Sequence, residues 1–260
     1  MCETCGCGVT PGNADLMRAR AGEGTAVDVL QDLLAVNDQV AAHNREHFDA
    51  HGVLAINLMS SPGAGKTALL EGTIAALRER YRIVVIEGDL ETDNDAARIR
   101  AQGVPAVQIT TGTACHLDAH LVHRALHQLP LAGVDLLFIE NVGNLVCPAS
   151  FDLGQHLNVT LLSVTEGDDK PAKYPVIFRA ADLVVLSKTD LLDVMDDFDP
   201  LRAAAALAAL GRGTPMIRTA ARRTPDLKPW LEWLEQELAC PRAVPTSASS
   251  RIAAAVALRA

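Results

Sequence analysis

The chain has 260 residues, of which 49% are hydrophobic but only 3% aromatic, and a formal net charge of −9. This length fits one sizeable domain with appendages or two small ones, and the acidic balance argues against nucleic acid as a partner. No stretch approaches the roughly 18 apolar residues that span a bilayer, and no secretory signal is visible, so we expect a cytoplasmic protein without a membrane partner.

Three of the six cysteines lie within the first seven residues, at the spacing CxxCxC. This clustering indicates metal or redox chemistry rather than a disulfide framework. Cys2, Cys5 and Cys7 offer three soft donors, and removal of Met1 would add the α-amine as a fourth. Such a donor set on an extended peptide suits planar Ni(II), whereas Zn(II) would prefer a tetrahedron. A redox-active tail and a partial zinc or iron–sulfur motif are the alternatives.

An amphipathic helix is predicted over residues 27–51, packed against the main domain or against a partner chain. His43, His47 and His51 follow one another at intervals of four on this helix. Such a stripe could bind metal, but a solvated face at a polar helix end is the favoured interpretation.

From residue 53 onward, short apolar segments alternate with amphipathic ones. The apolar segments predict strands at residues 53–59, 82–87, 106–109, 136–140, 159–164, 183–187 and 216–218. The helical periodicity predicts helices over residues 68–80, 93–102, 117–128, 201–210 and 226–239. Apolar strands that alternate with helices are typical of a mostly parallel sheet covered by helices on both faces. The predicted fold is therefore α/β, with ligands at the carboxyl ends of the strands.

Three parts are predicted along the chain. Residues 1–24 are interpreted as a flexible metal-binding tail and linker, and residues 25–240 as the α/β domain with its N-terminal helix. Residues 241–260 form an extension without an assigned role.

A phosphate-binding loop is predicted where the first strand turns into a helix, in the sequence MSSPGAGKT. Such a loop presents unpaired backbone N–H groups to phosphate, and the helix dipole adds to their effect. Lys66 would reach the β- and γ-phosphates, and the Thr67 hydroxyl would ligate Mg²⁺. Ser60 stands where the P-loop pattern has glycine. The predicted phosphate cradle comprises Gly63, Ala64 and Gly65.

Acidic residues follow two other predicted strands. Asp89 could reach the Mg²⁺ shell or orient the attacking water. Glu140 precedes Gly143 by three positions and resembles the switch element of GTPases, in which a carboxylate helps to hold Mg²⁺ and the glycine amide senses the γ-phosphate. Either acid alone could be an ordinary loop carboxylate, but the position of both after apolar strands favours a role in the nucleotide site. The predicted catalytic residues are Lys66, Asp89 and Glu140.

Base specificity is predicted from Ser187-Lys188-Thr189-Asp190, at the end of another apolar segment. The Asp190 carboxylate can accept two hydrogen bonds from guanine, a donor pair that adenine lacks, so GTP is the predicted nucleotide. Lys188 would lie along the base and brace the P-loop. The usual pattern has asparagine where this chain has Ser187, and we expect the loss of an amide that braces neighbouring loops.

A second metal site is predicted from Cys115, His116 and Cys147, because Cys147 follows the switch-like glycine by four residues. A lone buried cysteine is most often a small hydrophobic residue, but a Cys-His pair together with this cysteine favours metal binding. A fourth ligand could come from water, from His120 or from a symmetry-related subunit.

These motifs together resemble the HypB family of GTPases that assist nickel insertion into [NiFe] hydrogenase. The matching stretches include CETCGCG, SSPGAGKTALLEG, EGDLETDNDAARI, TGTACHLDAH, FIENVGNLVCPASFDLGQ and LSKTDLL, and they reach from residue 2 to about residue 195. The departures from the family pattern are Ser187, Gln155 where glutamate is usual, and the C-terminal extension.

The resemblance implies a SIMIBI-type P-loop fold and a homodimer that forms with GTP. It also implies a tight nickel site at Cys2, Cys5 and Cys7, and a weaker nickel or zinc site at a dimer interface. Cys115, His116 and Cys147 would form this second site. The implied partners are the nickel accessory protein HypA and the precursor of the hydrogenase large subunit.

The predicted function is a metal-delivery switch timed by GTP hydrolysis. Turnover should be slow, because neither an arginine finger nor a positioned glutamine is evident, and Asp89 is the candidate for handling water. One alternative is a nucleotide-gated metal-binding module without relevant turnover. Another is a GTPase that delivers metal to urease or for cobalamin, although urease GTPases lack the N-terminal CxxCxC.

Overall fold

The structure is a computed structural model that describes residues 26–91, 94–222 and 225–240, with side chains from residue 33 onward. The predicted tail and the C-terminal extension lie outside the described residues. The same holds for Cys2, Cys5 and Cys7, so their predicted metal site stays a prediction.

A seven-stranded sheet forms the centre of the protein. Its strands in chain order are β1 Leu54–Met59, β2 Ile83–Asp89, β3 Ala106–Thr110, β4 Leu136–Glu140, β5 Leu157–Ser163, β6 Leu183–Ser187 and β7 Met216–Arg218. Their order across the sheet is β3-β2-β4-β1-β5-β6-β7, and every neighbouring pair is parallel. All seven predicted strands are confirmed, with ends shifted by at most two residues. The carboxyl ends of these strands all lie at one edge of the sheet.

The α-helices connect and flank these strands. Within the described residues they are α1 Ala26–His51, α2 Lys66–Leu77, α3 Asn94–Ala101, α4 Ala119–Leu126, α5 Lys170–Lys173, α6 Pro175–Ala180, α7 Pro200–Ala208 and α8 Lys228–Ala239. Three short 3₁₀ turns add to them, at Cys147–Ser150, Val164–Glu166 and Thr189–Val194. None of the helices in the described part of the chain combines the length and apolarity needed to cross a membrane.

Apolar clusters cover both faces of the sheet, as the continuous apolar strands predict. On one face, Ile74 of α2 and Trp230 of α8 pack against the central strands, and the Trp230 indole donates to Thr73 Oγ1 at 2.8 Å. On the other face, Phe48 of α1 and Val122 of α4 pack against β1, β2 and β4. The helices α6 and α7 continue that layer over β5 and β6. Helices therefore cover both faces of the sheet, and the site lies at the edge formed by the carboxyl ends of the strands.

Helix α1 packs on the main domain, which decides between the two predicted placements. Phe48 is fully buried, and Asn44 in the middle of the helix is fully buried as well. The Asn44 amide nitrogen donates to the carbonyl oxygens of Ala119 and Leu153, at 2.9 and 3.1 Å. These bonds satisfy a polar group that would otherwise be costly to bury, and they fix α1 against the start of α4.

Replacement of Phe48 tests this packing. Phe48→Ala should lower the free energy of unfolding by about 3–5 kcal/mol, because truncating a buried phenylalanine loses transfer free energy and leaves a cavity. Leu201→Ala on α7 is the control, since Leu201 is 76% exposed and should cost no more than about 0.5 kcal/mol. Urea denaturation measures both values. A Phe48→Ala effect as small as that of Leu201→Ala would show that α1 does not pack as described.

Candidate nucleotide and metal site

The loop between β1 and α2 has the backbone of a phosphate cradle. Gly63 and Gly65 have φ angles of 74° and 102°, in the left-handed region that favours glycine. In the described part of the chain no side chain caps the first turn of α2, so its backbone N–H groups face the cleft. Lys66 Nζ donates to Ser60 Oγ at 3.0 Å. The serine that replaces the usual glycine is fully buried and therefore positions the lysine.

An open cleft of about 580 Å³ lies above this loop, at the carboxyl ends of the strands. It gathers the predicted nucleotide residues from separate strand ends. Those lining the cleft are Gly63, Ala64, Gly65, Lys66, Thr67, Asp89, Glu140, Gly143, Lys188 and Asp190. The structure therefore brings the predicted constellation together in space.

Two buried glutamates face each other beside Thr67. Thr67 Oγ1 donates to Glu140 Oε1 at 3.0 Å, and Glu87 lies opposite Glu140 in the register of β2 and β4. Their relative exposures are 2% for Glu87 and 5% for Glu140. Burial, and then the nearby Glu140 charge, raise the pKa of Glu87 well above its usual range. Burial also raises the pKa of Glu140, against the effects of Lys66 and Thr67.

The donor set around these glutamates fits a hard cation. Glu87 Oε1 and Glu140 Oε2 are buried without a hydrogen-bond partner among the described residues, and Mg²⁺ prefers such oxygen ligands. Sequence reasoning missed Glu87. The signal was available, because both predicted strands end in an apolar run followed by glutamate, as RIVVIE and LLFIE.

Asp89 is the last residue of β2 and lies half-buried at the rim of the cleft. Its Oδ1 accepts from the backbone N–H of Leu90 at 2.7 Å. This bond orients the carboxylate at the strand end.

Gly143 lies directly against the P-loop. A Cβ atom on Gly143 would approach the backbone nitrogen and Cα of Pro62 to 2.8 Å each. Since such approaches do not occur between real atoms, the contact requires glycine. The segment after β4 therefore packs directly against the phosphate loop at this point.

The predicted base-recognition residues lie on the far side of the cleft. Lys188 has a φ of 58°, the left-handed region that few residues other than glycine adopt. Its Nζ donates to Thr165 Oγ1 at 3.1 Å, and not to the P-loop as expected. The contact with the P-loop comes instead from Ser187, whose Oγ donates to the Ala64 carbonyl at 2.7 Å. The expectation that serine loses the brace between these loops is therefore wrong, because the hydroxyl replaces the amide as donor.

The predicted second metal site is assembled in space. One ligand atom each of Cys115, His116 and Cys147 lies within 4.8 Å of the others, and the two Sγ atoms are 3.2 Å apart. His116 is fully buried and stacks on Phe151, with ring centroids 4.0 Å apart. Neither ring nitrogen of His116 has a hydrogen-bond partner in the described segments. His120, the fourth ligand considered from the sequence, is not part of this group.

The chemistry of this group suits a borderline divalent cation. Burial lowers the pKa of His116, which favours the neutral imidazole that metals bind. Two thiols and one imidazole are ligands that Ni²⁺ and Zn²⁺ both accept. The buried and unpartnered ring nitrogens also remain costly without a partner, and a metal ion would supply one.

Two asparagines connect the segment after β4 to this group. Asn141 Oδ1 accepts from the backbone N–H of Leu117 at 3.1 Å, directly after His116 in the chain. Asn144 Nδ2 donates to the Cys115 carbonyl at 3.4 Å, and its Oδ1 accepts from the Val146 N–H at 2.8 Å. One short segment thereby contacts the P-loop through Gly143 and both parts of the thiol–imidazole group through its asparagines.

Fold and site together define a P-loop nucleotide-binding protein, and comparison with known proteins agrees. Residues 54–213 match the family described as "CobW/HypB/UreG, nucleotide-binding domain". The hydrogenase maturation factor HypB of Azotobacter chroococcum mcd 1 is 54% identical over 211 residues, which cover 81% of this chain and 69% of that protein.

Two solved structures are also similar. The crystal structure of HypB from Helicobacter pylori in complex with nickel is 41% identical, with a TM-score of 0.73, and the match covers 78% of this chain and 94% of that one. HypB from Archaeoglobus fulgidus is 38% identical, with a TM-score of 0.73 and coverage of 79% and 100%. The chain therefore belongs to the CobW/HypB/UreG family, on its HypB branch. The predicted family and its class, a P-loop GTPase, are confirmed.

Replacement of Gly143 tests the contact with the P-loop. In Gly143→Ala the added methyl group meets the Pro62 backbone, and overpacking of this kind costs about 1–3 kcal/mol. We expect GTP affinity to fall by roughly 5- to 150-fold, measured by titration with a fluorescent GTP analogue. Val146→Ala is the control, because Val146 lies in the same segment and is exposed. Equal affinities in Gly143→Ala and the unmodified chain would contradict the described contact.

Proposed function

We propose that this protein is a GTP-hydrolysing nickel chaperone that assists nickel insertion into the large subunit of [NiFe] hydrogenase. The observation that carries this proposal is the single segment from Glu140 to Cys147, which contacts both the nucleotide cleft and the thiol–imidazole group. The names of the relatives support it, since they are hydrogenase maturation factors, and the Helicobacter pylori structure was determined in complex with nickel.

Different residues of the cleft bind different parts of GTP. The cradle of Gly63, Ala64 and Gly65 binds the phosphates, and Lys66 neutralises charge on the β- and γ-phosphates. On the far side, Asp190 accepts from guanine and Lys188 lies along the base. This arrangement selects GTP over ATP, because adenine would leave the carboxylate unpaired.

Thr67 and Glu140, with Glu87 beside them, would hold Mg²⁺, which neutralises negative charge on the phosphates when it is bound. Deprotonation of the two glutamates accompanies this binding, since burial in the free protein favours their neutral forms. In hydrolysis, a water oxygen bonds to the γ-phosphorus and the bond to the β–γ bridging oxygen breaks. Asp89 positions the water and takes its proton as the general base, and the electron pair of the broken bond stays on the GDP oxygen.

The thiol–imidazole group binds the cargo metal, Ni²⁺ in delivery and Zn²⁺ as an alternative occupant. Cys115, His116 and Cys147 supply three ligands. Three ligands leave the site incomplete, and a homodimer formed with GTP would complete it from the second copy. The Cys2, Cys5 and Cys7 tail forms a tighter nickel site, and the proposed partners are the accessory protein HypA and the hydrogenase large-subunit precursor.

Release of the metal follows from nucleotide state. The Gly143 amide senses the γ-phosphate. Loss of the γ-phosphate on hydrolysis allows the segment after β4 to move away from Pro62. Asn141 and Asn144 transmit this movement to the loop that carries Cys115 and His116, while Cys147 moves with the segment itself. A ligand shifts an equilibrium between two protein states only by the difference in its affinity for them. The GTP-bound and GDP-bound states must therefore hold nickel with different affinities.

Replacement of Asp89 tests hydrolysis. Asp89→Ala should lower the rate of phosphate release from GTP by about 100-fold, because a positioned carboxylate contributes that much to general base catalysis. GTP affinity should be retained, since Asp89 lies at the rim and not in the phosphate cradle. Glu91→Ala, an exposed acid two residues further on, should retain the unmodified rate. An unchanged rate in Asp89→Ala would remove Asp89 from the mechanism, and the absence of turnover in the unmodified chain would favour a nucleotide-gated binding module.

Replacement of Asn144 tests the coupling. In the full chain with Cys2, Cys5, Cys7 and His43 replaced by alanine, Ni²⁺ affinity should differ by about tenfold between the GDP and GTP-analogue states. Asn144→Ala should bring this ratio close to one, because the link to the Cys115 carbonyl is lost. Isothermal titration with Ni²⁺ measures the ratio. Thr113→Ala, exposed in the same loop, is the control, and an unchanged ratio in Asn144→Ala would show that coupling takes another route.

A further inference from the structure

A cluster of histidines lies where α1 and α4 pack side by side. Ligand atoms of His43 and His47 on α1 and of His123 on α4 all lie within 4.8 Å of one another. His127, one turn further along the chain, contacts His123. These four residues are called the histidine cluster below. Sequence reasoning singled out His43, His47 and His51 and favoured a solvated face, but packing against α4 replaces His51 by His123.

The spacing of the ring nitrogens fits ligation of one ion. His43 Nε2 and His47 Nε2 are 3.2 Å apart, and His123 Nε2 and His127 Nε2 are 3.3 Å apart. Two imidazole nitrogens bound tetrahedrally at about 2.0–2.1 Å from a zinc ion are separated by about 3.3 Å. Each helix therefore presents a pair of nitrogens at ligand spacing, and the two pairs face each other across the α1–α4 contact.

A buried asparagine fixes the orientation of His123. The Asn44 amide nitrogen already donates to two backbone carbonyls, so its Oδ1 can only accept. This oxygen lies 2.9 Å from His123 Nδ1, which must therefore carry the proton. In the neutral ring the lone pair is then on Nε2, the atom that faces His127. Metal-binding histidines usually have such a hydrogen-bond partner on the ring nitrogen that does not bind the metal.

The surroundings of His47 and His123 favour the neutral imidazole, the form that binds metal. Partial burial, followed by the neighbouring histidines, lowers the pKa of His47 and of His123. The acidic group beside the cluster is Glu46, whose Oε2 lies 3.8 Å from His43 Nδ1, but the Glu46 side chain is 80% exposed. The neutral imidazoles of His47 and His123 are therefore available to bind a cation.

We propose that the histidine cluster binds one late first-row divalent cation of the Zn²⁺, Ni²⁺ or Cu²⁺ class. The site is separate from the thiol–imidazole group and from the nucleotide cleft, and it does not depend on the proposed function. Its ligands are His43, His47 and His123, and His127 lies beside the site in contact with His123. Such an ion ties α1 to α4, so that it stabilises the packed position of α1 as any ligand of the folded state does.

The test uses the full chain with all six cysteines replaced by alanine, so that thiol ligands are removed. Zn²⁺ is titrated by calorimetry, and the imidazole nitrogens are followed by ¹⁵N NMR. We expect one equivalent to bind, with shifts at Nε2 of His43, His47 and His123 and none at His51. Mg²⁺ should produce no shifts at these imidazole nitrogens, because imidazole does not suit this hard cation.

Single replacements then identify the ligands. Removal of a residue that only hydrogen-bonds to a metal ligand weakens metal sites by about 10–100-fold. Removal of the ligand His43 itself should therefore weaken Zn²⁺ binding by at least about tenfold. His43 is exposed, so its removal leaves the fold intact. His51→Ala is the matched control, because among the described residues His51 hydrogen-bonds to the His47 carbonyl of its own helix and lies outside the three-histidine group, and it should retain the affinity.

A second measurement covers the case in which the cysteine-free chain does not fold. In the chain with its cysteines intact, the number of Zn²⁺ ions bound at a fixed free concentration should fall by one in His43→Ala and stay constant in His51→Ala. Equal stoichiometry in both variants, or Zn²⁺ binding without Nε2 shifts at His43, His47 and His123, would overturn the proposal. In that case the cluster consists of hydrogen-bonded imidazole pairs only.

Discussion

The approach of Gly143 to Pro62 is the contact on which the proposed function depends. With 2.8 Å between a hypothetical Cβ and the Pro62 backbone, the segment after β4 has no free space at the P-loop. The same segment begins at Glu140, which accepts from Thr67, and ends at Cys147, 3.2 Å from Cys115 Sγ. Packed contacts of this kind have few alternative arrangements. Under the proposed function, a change at the phosphates therefore displaces the segment after β4 together with the P-loop.

Two serines show how the chain keeps a P-loop with unusual residues. Ser60 replaces a glycine, and its buried hydroxyl accepts from the Lys66 ammonium. Ser187 replaces an asparagine, and its hydroxyl donates to the Ala64 carbonyl. In each case a small polar group supplies one hydrogen bond where space is limited. The cradle is therefore braced from both sides, by β1 through Ser60 and by β6 through Ser187.

Much of the fold could be predicted from the sequence, because strands buried on both faces leave continuous apolar runs such as LLFIE. The P-loop and the grouping of Cys115, His116 and Cys147 were also predictable, since their residues follow strand ends that meet at one edge. The remaining features depend on register and packing between distant segments. Glu87 and Glu140 become neighbours only through the pairing of β2 with β4, and His123 joins His43 only through helix packing across 80 positions of sequence.

The central claim is that nucleotide state changes the ligands of a bound nickel ion at Cys115, His116 and Cys147. The most direct measurement is nickel K-edge X-ray absorption of the full chain with Cys2, Cys5, Cys7 and His43 replaced by alanine, loaded with GDP or with a GTP analogue. The account predicts a different number of sulfur ligands, or different nickel–sulfur distances, in the two states. Identical spectra in both states would contradict it.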